Sequence, residues 1–269
     1  MANDPSYIIV GKGCWGTRMH ALLEGEGRRV EFAPSSRHKA GESDPDYEAR
    51  VIRSFAGSST QIAWLCVPPG AHVPLLMRAA LAAGLHMIVE KPWTYSREET
   101  EALQRAAETK NLKIGVHFEY CFLSDVERWR REYARQVDLR FSGIFTTSLS
   151  DHMGVSAMQN LGSHLFSILE YAIPDATVGE IRCGYDAANQ RTVWLESGKQ
   201  SVDEIDLLAH KEPIIQRYLA SFENSLDGEK FPIDLEFAQR VNEKLELLVS
   251  GTTSPPANAA GGAPGGDSK

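Results

Sequence analysis

The sequence predicts an α/β protein: a doubly wound parallel sheet over residues 1–122, then a smaller α/β domain over residues 123–250 whose open sheet is mainly antiparallel. Three observations predict it. Short apolar runs alternate with helix-like stretches as far as residue 117, the rhythm of a parallel sheet covered on both faces. The first apolar run leads straight into Gly11-Lys12-Gly13-Cys14-Trp15-Gly16, a glycine turn between strand and helix. Beyond residue 137, strand-like runs follow one another through short links containing Gly or Asn, which suits antiparallel pairing with a helix on one face.

Taken in order, Tyr7-Ile8-Ile9-Val10 is a buried strand, and residues 17–23 continue the glycine turn as a helix. Residues 30–33 form a second strand, 44–55 an acidic helix, and 62–67 a buried strand stopped by Pro68-Pro69-Gly70. An alanine- and leucine-rich helix over 71–83 closes at Gly84, and strand, helix and strand follow at 86–90, 97–109 and 113–117. In the second half, 125–135 is a charged helix, 137–147 a strand, and 155–172 a helix that stops before Pro174. Runs at 178–185, 192–196 and 202–208 are strands, and 214–226 and 235–248 are helices. From Thr252 the composition collapses to Ser, Pro, Gly, Ala and Asn. Such a segment cannot pack a core, so residues 251–269 are expected to be a disordered tail.

Composition excludes several functions. The 269 residues carry a net charge of −8, leaving no basic stripe for a nucleic acid. The four cysteines, Cys14, Cys66, Cys121 and Cys183, lack C-x-x-C spacing and read as reduced core residues, so no metal site is expected. No apolar leader follows a basic start, and no apolar run approaches ~18 residues, so a cytoplasmic protein without a membrane partner is expected. H-E-x-x-H, P-loop and G-x-S-x-G patterns are absent, so zinc hydrolysis, nucleotide hydrolysis and a serine-hydrolase elbow lack support.

The glycine turn has the context of a dinucleotide site. Gly11 permits the tight turn, Gly13 lets the backbone approach a pyrophosphate, and Gly16 lets the helix pack close to its strand. The N–H groups of the helix N-terminus, beginning at Cys14, face the phosphates. Trp15 either covers the pyrophosphate or fills the corner between strand and helix.

Two further runs, Val67-Pro68-Pro69-Gly70-Ala71-His72 and Ala79-Ala80-Leu81-Ala82-Ala83-Gly84-Leu85-His86-Met87-Ile88-Val89-Glu90-Lys91-Pro92, resemble the Gfo/Idh/MocA oxidoreductases, the family of glucose–fructose oxidoreductase and inositol dehydrogenase. The resemblance is close over residues 6–125 and loose beyond. It implies a Rossmann domain whose cofactor wall includes Val67, Pro68, Pro69, His72, Glu90, Lys91 and Pro92. It also implies NAD(P)-dependent oxidation or reduction of a small molecule such as a sugar or cyclitol. A homodimer or homotetramer through the C-terminal sheet is implied as well. His72 matches a family position, yet as the first residue of a helix it is expected to cap or pack.

Lys91, at the end of a buried strand beside Glu90, has the properties of a proton donor: an amine whose lowered pKa lets it exchange a proton near neutrality. On the helix where the family commonly carries D-x-G-x-H, this chain reads Asn160-Leu161-Gly162-Ser163-His164. His164 can donate or accept a proton, whereas Asn160 hydrogen-bonds but cannot ionise. At the end of the second strand, Ser35-Ser36-Arg37 replaces the usual ribose-binding carboxylate, which favours NADP(H) over NAD(H). In His117-Phe118-Glu119-Tyr120, a carboxylate stands where relatives often have arginine. If Glu119 faces the pocket beside Tyr120, it attracts a protonated amine or iminium; otherwise it faces solvent or pairs with Arg128 or Arg130. His152, in a loop after Asp151, either touches substrate or caps the next helix. The expected function is a reductase acting on a C=O or C=N, such as a keto sugar or an imine, with Lys91 as proton donor. The alternative is a dinucleotide-binding regulatory protein that keeps the fold.

Overall fold

A computed structural model describes residues 5–33, 39–56, 59–148 and 154–251. The first half alternates strand and helix throughout: β1 (Tyr7–Val10), α1 (Cys14–Gly25), β2 (Val30–Phe32), α2 (Asp44–Ala56), β3 (Ile62–Leu65), α3 (His72–Ala82), β4 (His86–Val89), α4 (Arg97–Thr109) and β5 (Ile114–Val116). The five strands are parallel in the order β2-β1-β3-β4-β5. All residues of β1 and β3 are buried, because helices cover both faces and leave no side for water. The order reverses between β1 and β3, and a crevice for a ligand opens at the carboxyl ends of the strands there. The glycine turn, Val67-Pro68-Pro69 and Glu90-Lys91-Pro92 all leave the sheet at that edge.

The chain then runs through a 3-10 turn at Glu119–Phe122 and α5 (Ser124–Glu132) into β6 (Leu139–Thr147). A π-turn over Met158–Gly162 leads into α6 (Ser163–Ala172), followed by β7 (Thr177–Tyr185), β8 (Arg191–Ser197) and β9 (Gln200–Asp206). The second sheet has the order β7-β6-β8-β9. The β6–β8 and β8–β9 pairs are antiparallel, and β6–β7 is parallel because α6 carries the chain back across. Phe141, Phe145, Val193, Leu195 and Ile205 are buried on the face toward α6. The helix predicted over 155–172 therefore opens with a widened turn, a feature frequent at functional sites.

Helices α7 (Ile214–Ser225) and α8 (Leu235–Val249) return to the first sheet. The residues before α8 reach the edge strand, where Val116 N donates to Ile233 O at 2.9 Å. Gly115 gives the space for this docking, since a Cβ there would lie 2.7 Å from both Phe231 and Tyr218. From α7, Glu223 accepts the Tyr7 hydroxyl and the guanidinium of Arg28, with Nε at 2.8 Å and Nη2 at 2.7 Å. Asp234 caps α8 by accepting from Phe237 N at 2.9 Å. The same helix packs on α4 and α6, with Gln239 bonded to Thr100 (2.8 Å) and Arg240 to Glu170 (2.6 Å). Thus α8 braces the first sheet against the helix that carries His164. Among the described residues, no helix is long and apolar enough to cross a membrane, and no His/Cys/Asp/Glu group could hold a metal.

The Glu223 cluster is a fold-level test. Removing its carboxylate leaves the Tyr7 hydroxyl without its acceptor and Arg28 with Glu26 alone, so Glu223→Ala should lose about 1–3 kcal/mol in urea unfolding. An unchanged midpoint would show that α7 is held by its apolar face alone.

Candidate active site

The glycine turn meets the demands of a phosphate cradle. Gly11 has φ +111°, and a Cβ there would lie 2.3 Å from Cys66 O, while a Cβ on Gly16 would lie 2.0 Å from Gly11 O. Neither position accepts a side chain. Gly13 differs, since a Cβ there would meet nothing within 4 Å. It forms the N-cap of α1 without a side-chain hydrogen bond, so the first N–H groups of α1, beginning at the exposed Cys14, have no side-chain cap. The site thus fits a dinucleotide pyrophosphate, held by backbone donors at a helix N-terminus. On the loop after β3, Pro68 is exposed and Val67 and Pro69 partly exposed, and His72, partly exposed, begins α3. The Tyr95 hydroxyl holds that loop through Gly70 N and O, both at 3.1 Å. Ser35, Ser36 and Arg37 lie outside the described residues. At the end of β2, the Lys12 ammonium lies 5.1 Å from the Phe32 ring centroid.

Glu90 joins this turn to the end of β4. Its Oε1 accepts from Trp15 Nε1 at 2.7 Å and Trp64 Nε1 at 2.9 Å, and lies 3.2 Å from His117 Nδ1. Burial alone would raise the Glu90 pKa, but the charge and hydrogen bond of His117 and the two indoles hold it below the ordinary 4.5. Burial likewise works against protonation of His117, yet the Glu90 charge wins and raises its pKa above 6.5. The two form a buried ion pair. Trp15 therefore turns its polar edge inward to Glu90, and the Glu90 side chain serves to anchor the loop.

The Lys91–Pro92 peptide is cis, and Pro92 is buried. Lys91 Nζ donates to Asn160 Oδ1 at 2.7 Å and Asn160 O at 3.3 Å. Asn160 Nδ2 donates to the Tyr185 hydroxyl at 3.0 Å. The π-turn thus presents one amide oxygen to the amine and one amide nitrogen to β7. Burial lowers the Lys91 pKa; Glu119 and Glu90 oppose that fall, and Arg191 adds to it.

His164 is 5% exposed, and its Nδ1 is buried without a hydrogen-bond partner. Its ring stacks on Phe145 at 5.1 Å and meets the edge of Tyr120 at 5.0 Å. Burial, then the charges of Lys91, Arg191 and His117, lower its pKa well below 6.5. It is a neutral imidazole near neutral pH, suited to hydrogen bonding and not to acting as a cationic acid. Glu119 opens the 3-10 turn, half-buried, and its charge acts on Lys91 and His117. Neither expected arginine holds it: Arg128 pairs with Asp203 and Asp125, and Arg130 bonds Tyr171. His152 lies outside the described residues.

Residue-by-residue reading of the sequence missed His117, Tyr185 and Arg191. Arg191 Nη1 donates to the Tyr120 hydroxyl at 2.8 Å, and its guanidinium carbon lies 4.8 Å from the Phe145 ring centroid. The last two residues come from strands whose pairing to β6 is not legible in a linear pattern. His117 carried a local signal, as a histidine at the end of a buried strand.

This geometry, a glycine turn with an amine at the same sheet edge, is that of a dinucleotide-binding fold, and comparison with known proteins agrees. Residues 6–118 match the family model described as "Oxidoreductase family, NAD-binding Rossmann fold". Residues 6–118 thus resemble the NAD-binding domain of the Gfo/Idh/MocA oxidoreductases. It is 21% identical over 256 residues to scyllo-inositol 2-dehydrogenase (NADP(+)) IolW of Bacillus subtilis (strain 168), covering 93% of this chain and 63% of that protein. It therefore spans less than two thirds of that relative's length. Among solved structures, GenD2 from gentamicin A biosynthesis in complex with NAD aligns with TM-score 0.71 and 17% identity, over 94% of this chain and 95% of that one. The WlbA dehydrogenase from Bordetella pertussis, in complex with NADH and UDP-GlcNAcA, aligns with TM-score 0.69 and 13% identity, over 93% and 97% of the two chains. At these identities the structures bear on the fold alone.

The buried pair makes a titration test. Glu90→Gln removes the anion while the burial of His117 remains, so its ring should deprotonate below 6.5 in the variant and above it in the parent. Because the parent value is raised, the stability tied to His117 is present at lower pH and lost as pH rises through that value. The part tied to Glu90 is lost instead as pH falls through its lowered value. Histidine ring NMR reads both states, and coincident His117 titrations in the two proteins would exclude the ion pair.

Proposed function

We propose that the protein is an NAD(P)H-dependent reductase that reduces a C=O or C=N of a small molecule, with Lys91 giving the proton to the heteroatom. The observation that carries this reading is the half-buried Lys91 amine, fixed by Asn160 at the carboxyl edge of the sheet and with its pKa lowered. Bound at the glycine turn, the nicotinamide cofactor supplies the hydride. Lys91 holds a proton that burial makes easier to release, and Asn160 Oδ1 orients it. A carboxylate in place of Asn160 would hold the proton more tightly, so the neutral amide suits an amine that must give it up. His164, neutral and with a free Nδ1, hydrogen-bonds the reacting group.

NADPH is proposed as the preferred cofactor. Support comes from Lys12 beside the end of β2, from the absence of a carboxylate in Ser35-Ser36-Arg37, and from the NADP-dependent relative. The small-molecule substrate is reduced in the cytoplasm by a homodimer or homotetramer. Its contact is the sheet face turned away from α6, where Ile144 and Trp194 are only half-buried.

The test is steady-state kinetics on keto sugars and cyclic imines with both cofactors. Lys91→Met should cost about two to four powers of ten in kcat, with NADPH binding nearly unchanged. His164→Ala should cost less. NADPH should bind more tightly than NADH, by a margin that Arg37→Ala narrows. Full turnover in Lys91→Met would reject the mechanism; cofactor binding with no turnover across the panel would favour a regulatory dinucleotide-binding protein.

A further inference from the structure

The groups around Lys91 carry more positive than negative charge. Glu90 is matched by His117 at 3.2 Å, and the charge of Glu119 acts on Lys91. His164 is neutral. Arg191 is left over, since no carboxylate among the described residues forms an ion pair with it, and it cannot lose its proton. Exposed Arg18, 5.2 Å from the Trp15 ring centroid, adds a positive field that reaches Tyr120.

Arg191 is also held rigidly. It begins β8 opposite Phe145 of β6. Its preceding residue is tied on both sides, Thr146 N donating to Gln190 O at 2.7 Å and Gln190 N to Thr146 Oγ1 at 2.9 Å. One face of the guanidinium lies on Phe145, and Nη1 is spent on Tyr120. Those same two rings enclose His164. Nε is buried and has no partner. An unmatched buried N–H is costly unless a ligand completes it. The guanidinium edge formed by Nε and Nη2 carries two parallel donors at the spacing of two carboxylate oxygens.

We propose that the substrate carries a carboxylate on the same molecule as the group that is reduced, and that the Nε/Nη2 edge of Arg191 binds it bidentately. The inference rests on Lys91 marking the reaction centre, and it narrows the substrate to an oxo acid or sugar acid. Lysine at 191 would keep the charge and lose the fork, which separates a site for carboxylate geometry from a general positive field. It also decides what Glu119 does. Its charge acts on Lys91 and leaves Arg191 to set the charge of the ligand, so the iminium that Glu119 alone would attract is not the expected substrate.

The test uses the full chain saturated with NADP+ and matched probes: D-glucuronate against D-glucose, D-galacturonate against D-galactose, and 2-keto-D-gluconate against D-fructose. Calorimetry should show at least one acid binding about 10- to 100-fold more tightly than its neutral match. Arg191→Gln and Arg191→Lys should both remove most of that preference and leave the neutral sugars nearly unaffected. Lys91→Met should keep the preference while turnover is lost, so failure of the carboxylate site and failure of the proton donor give different results. Circular dichroism melting confirms that each variant is folded, and Arg191→Lys, which keeps charge and bulk, covers the case in which Arg191→Gln is not. Equal binding of every acid and its neutral match in the parent overturns the proposal, and so does a preference that survives in Arg191→Lys.

Discussion

A single buried carboxylate holds the site together. Glu90 lies at the end of β4, where leaving its charge unmatched would cost several kcal/mol. Its Oε1 is therefore met by donors from the glycine turn (Trp15), from β3 (Trp64) and from the end of β5 (His117). These elements are far apart in the chain and meet only at the carboxyl edge of the sheet. The next residue is Lys91, so the anchor that seats the glycine turn also sets where the amine begins. Removing any one donor would leave the others to compensate a charge that water barely reaches.

Around this anchor the charges are sorted by burial. Desolvation acts against every ion in the site, and only those with a partner of opposite sign resist it. Glu90 and His117 stay ionised together, while His164, beside Lys91 and Arg191, stays neutral. Lys91 is intermediate, with Glu119 opposing the effect of burial and Arg191 adding to it. Asn160 fits this pattern. It supplies a fixed acceptor without a third carboxylate and leaves the Lys91 proton more acidic than an aspartate would. The departure from the family's usual acid therefore changes how the proton is held without removing the group that holds it.

Much of the fold was legible in the sequence because its signals are local. Continuous apolar strands and glycine-closed helices mark the first sheet, and the paired motifs at 11–16 and 90–92 mark its functional edge. Pairing at a distance was less visible. The parallel addition of β7 to β6, the docking of α7 and α8 on β5, and the π-turn that aims Asn160 all depend on tertiary contacts. Lys91, Asn160 and His164 could be picked from motif spacing and do converge. Arg191 could not, because it reaches the pocket only through the register that sets it opposite Phe145. Glu119 shows the same limit in reverse: its position was visible, but the groups its charge acts on, Lys91 and His117, were not.

The central claim is that Lys91 donates the proton in a field set by Glu119 and Arg191, and the pH dependence of kcat/KM tests it most directly. A proton donor must be charged to act, so activity should fall as pH rises through the Lys91 pKa, which lies below 10.5. Removing the carboxylate in Glu119→Gln should move that alkaline limb to lower pH, and removing the cation in Arg191→Gln should move it to higher pH. Opposite displacements are the predicted result. An alkaline limb that stays in place in both variants, or moves the same way in both, would contradict Lys91 as the proton donor.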